Sequence, residues 1–118
     1  MTKGKVKADM AELDSFLDQY VIDERDRETV LRKSAMVRRC LPLESVIDFG
    51  GMWEVDGLYS RLCKGELGIP RVMMVDRIES ENWQRNPRLR TGIDFRKGDF
   101  SDDKFMATIK EPYDLALA

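Results

Sequence analysis

The sequence contains no histidine and only two cysteines, Cys40 and Cys63. Acid–base catalysis by histidine and imidazole metal sites are therefore excluded within this chain. Two distant cysteines are too few for a metal knuckle or a disulfide framework. We expect both to be buried small residues, and we expect a reducing, cytoplasmic setting.

Long apolar runs and a dominant charge are also absent. No segment approaches the roughly 18 apolar residues that a membrane helix requires, and no apolar stretch follows the basic N-terminus to make a signal peptide. The net charge of −2 gives no overall field that would attract nucleic acid. The composition of this 118-residue chain is that of one small globular protein with a polar surface.

Short apolar runs that end in an acidic residue recur along the second part of the chain. Residues 46–49 lead into Gly50 and Gly51, residues 72–75 end at Asp76, and a third segment ends at Asp99. A fourth apolar run covers residues 115–118. Each interval holds a predicted helix or turn, and strands that alternate with helices form a parallel sheet. We predict an α/β fold with a Rossmann-like, doubly wound parallel sheet of about four strands.

Two helices are predicted ahead of the first strand, over residues 8–21 and 26–40, because apolar residues recur there at helical spacing. Pro42 ends the second helix. The chain therefore divides into an N-terminal helical segment, residues 1–41, and a cofactor-binding half, residues 42–118.

The ends of the predicted strands carry the candidate site, because ligands of open parallel sheets bind outside the carboxyl ends of the strands. Gly50 and Gly51 lack a Cβ, so a ligand can approach their backbone, and the following helix is predicted to start near Gly57 with Asp56 as its N-cap. Asp76 can accept hydrogen bonds from ribose hydroxyls. Each feature has a plain structural alternative, namely a strand-to-helix turn for the glycines and a solvated acid for Asp76.

The order of these motifs resembles the class I S-adenosylmethionine-dependent methyltransferases. The resemblance rests on Val46-Ile47-Asp48-Phe49-Gly50-Gly51, Val75-Asp76, Gly98-Asp99-Phe100 and Tyr113-Asp114-Leu115-Ala116-Leu117. It implies that the glycine loop cradles the methionine and ribose parts of S-adenosylmethionine, that the acid after strand two holds the ribose, and that the acid after strand three contacts adenine. The implied cofactor-binding residues are Asp48, Phe49, Gly50, Gly51, Met52, Trp53, Asp76, Arg77, Asp99 and Phe100.

The chain departs from that family in its glycine loop and in its length. Met52 and Glu54 occupy positions where the family has glycine, and Trp53 either lines the methionine end of the site or packs under the loop. The family sheet has seven strands and this chain supplies four. Because residues 115–118 are apolar on both faces, as in a central strand, we expect either a missing C-terminal segment or a second chain to complete the sheet.

The resemblance implies methyl transfer to an acceptor that the sequence does not identify, and no catalytic residue is assigned. We do not expect this chain alone to be catalytically competent. Two alternatives remain open. One is an NAD-type dinucleotide-binding domain of an oxidoreductase, which Asp76 also fits but which normally has a full G-x-G-x-x-G loop. The other is a non-enzymatic interaction module that retains a methyltransferase-like fold and uses residues 8–40 as its contact surface.

Overall fold

The computed structural model describes residues 24–52 and 56–118, so the helix predicted over residues 8–21 lies outside the described part. The chain divides into two compact units between Leu41 and Pro42. In the first unit, helix α1 spans Glu24–Arg39. Of the predicted apolar stripe, Val30, Ser34 and Val37 are buried, whereas Leu41 is half-buried and lies beyond the end of the helix. Cys40 follows α1 and is exposed, so its predicted burial is wrong, whereas Cys63 is buried as expected.

The second unit is built on a four-stranded sheet in which every pair of neighbours is parallel. The strands are β1 (Ser45–Phe49), β2 (Arg71–Asp76), β3 (Ile93–Lys97) and β4 (Leu115–Leu117), in the spatial order β3-β2-β1-β4. In register, Ile47 of β1 lies beside Met73 of β2 on one side and Ala116 of β4 on the other. The predicted α/β fold with a parallel sheet is confirmed, and its topology is consistent with a Rossmann-like fold.

Short helices connect the strands. Helix α2 (Leu58–Arg61) continues into a π-helical turn (Leu62–Glu66), α3 (Glu81–Arg85) is followed by a 3-10 helix (Pro87–Arg90), and α4 (Asp103–Met106) precedes β4. Ser80 caps α3, because its hydroxyl accepts a hydrogen bond from the backbone N–H of Trp83 at 3.2 Å. The predicted cap of α2 is wrong: Gly57, in the left-handed conformation, holds the N-cap position, and Asp56 instead accepts a hydrogen bond from Asn82.

Alternate residues of the strands pack on opposite faces of the sheet. On one face, Ile47, Met73 and Val75 pack against a partly buried set that includes Phe105 of α4. On the other face, Met74 packs with Trp83 of α3. Helices therefore cover both faces, because the period-two alternation of a strand places successive side chains on opposite sides.

Within residues 24–52 and 56–118, β4 pairs with β1 alone. The start of β4 is fixed to the start of β1 by two side-chain hydrogen bonds. The Asp114 carboxylate accepts from the Glu44 N–H at 2.9 Å, and the Ser45 hydroxyl accepts from the Asp114 N–H at 3.0 Å. Leu117 is buried and Ala116 is exposed, so in this chain only one face of β4 is covered. No described helix is both long and apolar enough to span a membrane.

Candidate cofactor site

The sheet topology defines one place where a ligand is expected to bind. From β1 the chain steps outward to β2 and β3, and it then returns to the other side of β1 to form β4. This reversal makes the β1/β4 boundary the topological switch point, and ligands of such sheets bind there, outside the carboxyl ends of the strands. The acids predicted to bind the cofactor all come from the carboxyl ends of β1, β2 and β3.

The loop after β1 turns sharply at its glycines. Gly50 has a φ of 77°, a conformation that favours glycine, and its N–H donates to the Val75 carbonyl of β2 at 2.8 Å. Gly51 accepts a hydrogen bond from the Gly57 N–H at 2.8 Å, which closes the loop at the start of α2. The paired glycines therefore hold the loop close to the ends of both central strands.

Asp48 lies beneath this loop and is almost completely buried, with 1% of its surface exposed. Its Oδ2 accepts a hydrogen bond from the Ser60 hydroxyl of α2 at 2.8 Å. A Cβ added to Gly51 would lie 2.3 Å from the same oxygen. Asp48 therefore joins the loop to α2, and the absence of a side chain at Gly51 is what makes room for its carboxylate.

Asp76 ends β2 and joins two backbone segments. Its Oδ2 accepts from the Met52 N–H at 3.0 Å, and its Oδ1 accepts from the Ile78 N–H at 3.3 Å. The residue exposes 8% of its surface. A carboxylate has about four acceptor positions, so both oxygens keep acceptor capacity beyond these two bonds.

Asp99, after β3, is more exposed than the other two acids and belongs to a tight turn. Its Oδ1 accepts from the Ser101 N–H at 2.8 Å and from the Ser101 hydroxyl at 2.6 Å. These two hydrogen bonds lower the pKa of Asp99 below its ordinary value, against a smaller opposing effect of burial, and the charge of Arg77 lowers that pKa further. Arg77, which directly follows β2, therefore acts electrostatically on the acid that follows β3.

An aromatic pair lies beside the glycine loop. Phe100 exposes 43% of its surface, and its ring centroid is 5.5 Å from that of Phe49, at the end of β1. A Cβ placed on Gly50 would lie 3.8 Å from the Phe100 ring, an ordinary contact distance. The backbone of Gly50 and a partly open aromatic ring thus lie side by side at the carboxyl end of the sheet.

Met52 and Trp53 are the remaining predicted residues of the loop. The Met52 side chain is buried and packs with Met74 and Trp83, so Met52 faces the site through its backbone N–H. Trp53 lies outside the described residues.

Three residues of this region escaped the sequence analysis. Ile78 exposes 44% of its surface and immediately follows Arg77, at the end of β2. Ser60 and Ser101 hold Asp48 and Asp99, respectively. The spacing of Asp99 and Ser101 is typical of a turn in which an Asp side chain accepts a hydrogen bond from the backbone two residues on. The role of Ser101 was therefore predictable from the sequence.

No protein-family model, curated protein or solved structure matches the chain. Among the described residues, no three His, Cys, Asp or Glu side chains are grouped so that they could hold a metal ion.

Proposed function

We propose that the second unit is the cofactor-binding part of an S-adenosylmethionine-dependent methyltransferase. The observation that carries the proposal is the convergence of Gly50, Asp76, Asp99 and Phe100 at the carboxyl ends of three adjacent parallel strands. Strand ends beside a topological switch point are where sheets of this kind bind nucleotide-type ligands.

The residues fit the nucleoside part of such a cofactor. Asp76 keeps acceptor capacity on both oxygens for the two ribose hydroxyls, while its bonds to the Met52 and Ile78 N–H groups hold it in place. The oxygen of Asp99 that Ser101 leaves free is available to an adenine amino group. The exposed ring of Phe100 offers an apolar face to the base.

The bound cofactor supplies a methyl group on a sulfonium sulfur, which is already activated for transfer. The contribution of this chain is then to bind and orient, because alignment of donor and acceptor provides much of the rate in such reactions. The carboxylates of Asp76 and Asp99 also favour a cationic ligand, and Arg77 opposes part of that field. We assign no catalytic base and propose a reducing, cytoplasmic setting, which is supported by the fact that neither Cys40 nor Cys63 forms a disulfide.

Calorimetric titration of the chain with S-adenosylhomocysteine and, in parallel, with NAD tests this proposal. We expect saturable binding of the first and none of the second. Binding of NAD alone would favour the dinucleotide-binding domain of an oxidoreductase. Binding of neither, by a chain shown to be folded, would favour the interaction module.

A pair of glycine variants makes the titration specific to the site. Gly50→Ala and Gly68→Ala both place a side chain on a left-handed backbone, with φ values of 77° and 64°, and neither Cβ meets an atom closer than 3.8 Å. Each should cost about 1–2 kcal/mol of stability. Gly68 lies before the amino end of β2, whereas the candidate site is at the carboxyl ends of the strands, so only Gly50→Ala should weaken S-adenosylhomocysteine binding. Equal affinities for the two variants would mean that Gly50 does not contact the ligand.

A further inference from the structure

The charge of this chain is distributed very unevenly. Residues 85–97 contain five basic residues and one acidic residue, a formal charge of +4, in a chain whose net charge is −2. This segment forms the 3-10 helix and β3, which is an edge strand of the described sheet. The overall charge therefore conceals a local concentration of positive charge along one edge.

Two of the five basic residues have a partner within the described chain, and the other three are exposed without a carboxylate partner. Arg85 forms an ion pair with Glu81, and Arg96 donates to the Thr108 carbonyl at 3.0 Å. Arg88, Arg90 and Lys97 are exposed, and no carboxylate of the described residues forms an ion pair with them. We call these three residues the basic edge.

The basic edge lies on one side of the sheet and leads to the candidate cofactor site. Leu89 packs on the face that contains Met74 and Trp83. The 3-10 helix that carries Arg88 and Arg90 therefore lies on that side of the sheet, and Lys97 belongs to that face by strand alternation. Lys97 is in register with Asp76. From the start of β3 to Lys97 the strand advances about 13 Å, at roughly 3.3 Å per residue. Arg88 and Arg90 thus lie before the amino end of β3, and Lys97 lies about 13 Å further along the strand, beside Asp76.

The single acid of the segment faces away from this surface. Asp94 and Lys97 lie an odd number of residues apart in β3, so their side chains point to opposite faces of the sheet. There its charge acts on Tyr113, whose pKa is raised chiefly by burial and also by Glu111 and Asp94. The Lys64 side chain also passes close to the start of β3, 2.6 Å from the position of a Cβ on Gly92, but its ammonium group donates to the Pro70 carbonyl at 2.7 Å.

We infer that the basic edge binds the phosphate backbone of a nucleic acid. Exposed arginines without carboxylate partners suit phosphate oxygens, which their guanidinium groups bind in a bidentate manner. The large exposed apolar residues of the described chain are Met36, Ile78 and Phe100, none of which lies within residues 85–97. A membrane surface or a stable protein partner would be expected to use such an apolar anchor, whereas a phosphate backbone needs none.

The position of Lys97 beside Asp76 also indicates which class of molecule accepts the methyl group, and this part of the inference rests on the proposed function. A nucleic acid that follows the basic edge reaches Lys97, and therefore arrives beside Asp76. The acceptor of the methyl group would then be a nucleic acid, guided to the cofactor by contacts that carry no sequence information.

The test is fluorescence anisotropy of the 118-residue chain with a labelled 20-nucleotide single-stranded RNA, without cofactor. The double variant Arg88→Gln/Arg90→Gln should bind about tenfold more weakly, and its dependence of log affinity on log salt should fall by about 1.4, at roughly 0.7 per contact with a single strand. The control Lys104→Gln/Lys110→Gln changes the net charge equally at exposed positions outside the segment and should bind as the unaltered chain does.

Three results would overturn the inference: no RNA binding by a folded chain, equal loss of binding in the two double variants, or equally tight binding of poly-glutamate or of phosphatidylserine vesicles. Equally tight binding of these other polyanions would mean that the basic edge does not select nucleic acid. Its charge would then have another role, for example to prevent edge-to-edge pairing of β3. Titration of the same samples with S-adenosylhomocysteine separates the two proposals. RNA binding without cofactor binding would overturn the acceptor assignment alone, and cofactor binding without RNA binding would overturn the basic edge alone.

Discussion

The carboxyl ends of β1 and β3 each present an aspartate, yet the two acids have opposite surroundings. Asp48 of β1 is buried under the glycine loop and bonded to Ser60, whereas Asp99 after β3 is partly exposed and bonded only within its own turn. Asp76, between them, is bonded to two backbone groups but keeps acceptor capacity. An acid at a strand end can therefore serve the fold, a ligand, or both, and its burial and partners distinguish these cases.

The largest effect is expected beneath the β1 loop. A Cβ at position 51 would lie 2.3 Å from Asp48 Oδ2 and 2.8 Å from Met74 Sδ, so Gly51→Ala must displace packed groups. We expect it to lower the free energy of unfolding by about 3 kcal/mol, measured by urea denaturation.

The matched control is Gly65→Ala, in the π-helical turn, where a Cβ meets no atom within 4 Å. This variant should be as stable as the unaltered chain or slightly more so. If Gly51→Ala proved equally stable, Asp48 would not be packed against the loop, and the distinction between the β1 and β3 acids would fail.

A smaller effect on stability, joined to an effect on binding, is expected at Asp76. Asp76→Ala leaves the Met52 and Ile78 N–H groups without their acceptor, which should lower the free energy of unfolding by about 2 kcal/mol. It should also abolish measurable binding of S-adenosylhomocysteine in calorimetry. Asp94→Ala removes an exposed strand acid and should change stability by less than about 0.5 kcal/mol. Undiminished affinity in Asp76→Ala would remove Asp76 from the site.

Substitution of Asp99 should weaken S-adenosylhomocysteine binding without lowering the stability of the fold. Asp99→Asn keeps an oxygen to accept the Ser101 hydrogen bonds, so the midpoint of urea denaturation should be nearly unchanged. The affinity for S-adenosylhomocysteine should fall about tenfold, and Asp94→Asn is the comparison that removes an equal charge outside the site. A large loss of stability instead would mean that Asp99 is structural, like Asp48.

The smallest effect concerns the titration of the same carboxylate. Because the pKa of Asp99 is lowered first by the Ser101 hydroxyl, Ser101→Ala should raise it toward the ordinary value of 3.8, while the backbone hydrogen bond keeps it somewhat below. A lowered pKa in the folded state stabilises the fold above pH 3.8, and that contribution is lost as the pH falls through the folded value. NMR titration of the Asp99 carboxyl carbon checks this, and an unchanged pKa would contradict the hydrogen-bond assignment.

Strands β1, β2 and β4 were predictable because each is a short, mainly apolar run bounded by glycine, proline or an acid. Strand β3 contains Asp94, Arg96 and Lys97, so its position follows instead from the alternation of strands with helices, which also implies the parallel pairing. The capping residue of α2 was not predictable, because the left-handed conformations of both Asp56 and Gly57 depend on how the loop returns to Gly51. The burial of Asp48 was equally hidden, since its partner Ser60 reaches it only after α2 has packed on the sheet. Sequence order indicates which residues meet at the strand ends, and tertiary packing decides which of them remain available.

The hydrogen bond from the Met52 N–H to Asp76 gives the site an internal sensor. The Met52 N–H donates to Oδ2 of Asp76, so a group that binds this carboxylate withdraws electron density from the oxygen to which the amide donates. The proton resonance and the solvent-exchange rate of the Met52 amide therefore report occupancy of the strand end directly, before any acceptor or reaction is known. A spectroscopist could screen ligands on that one signal.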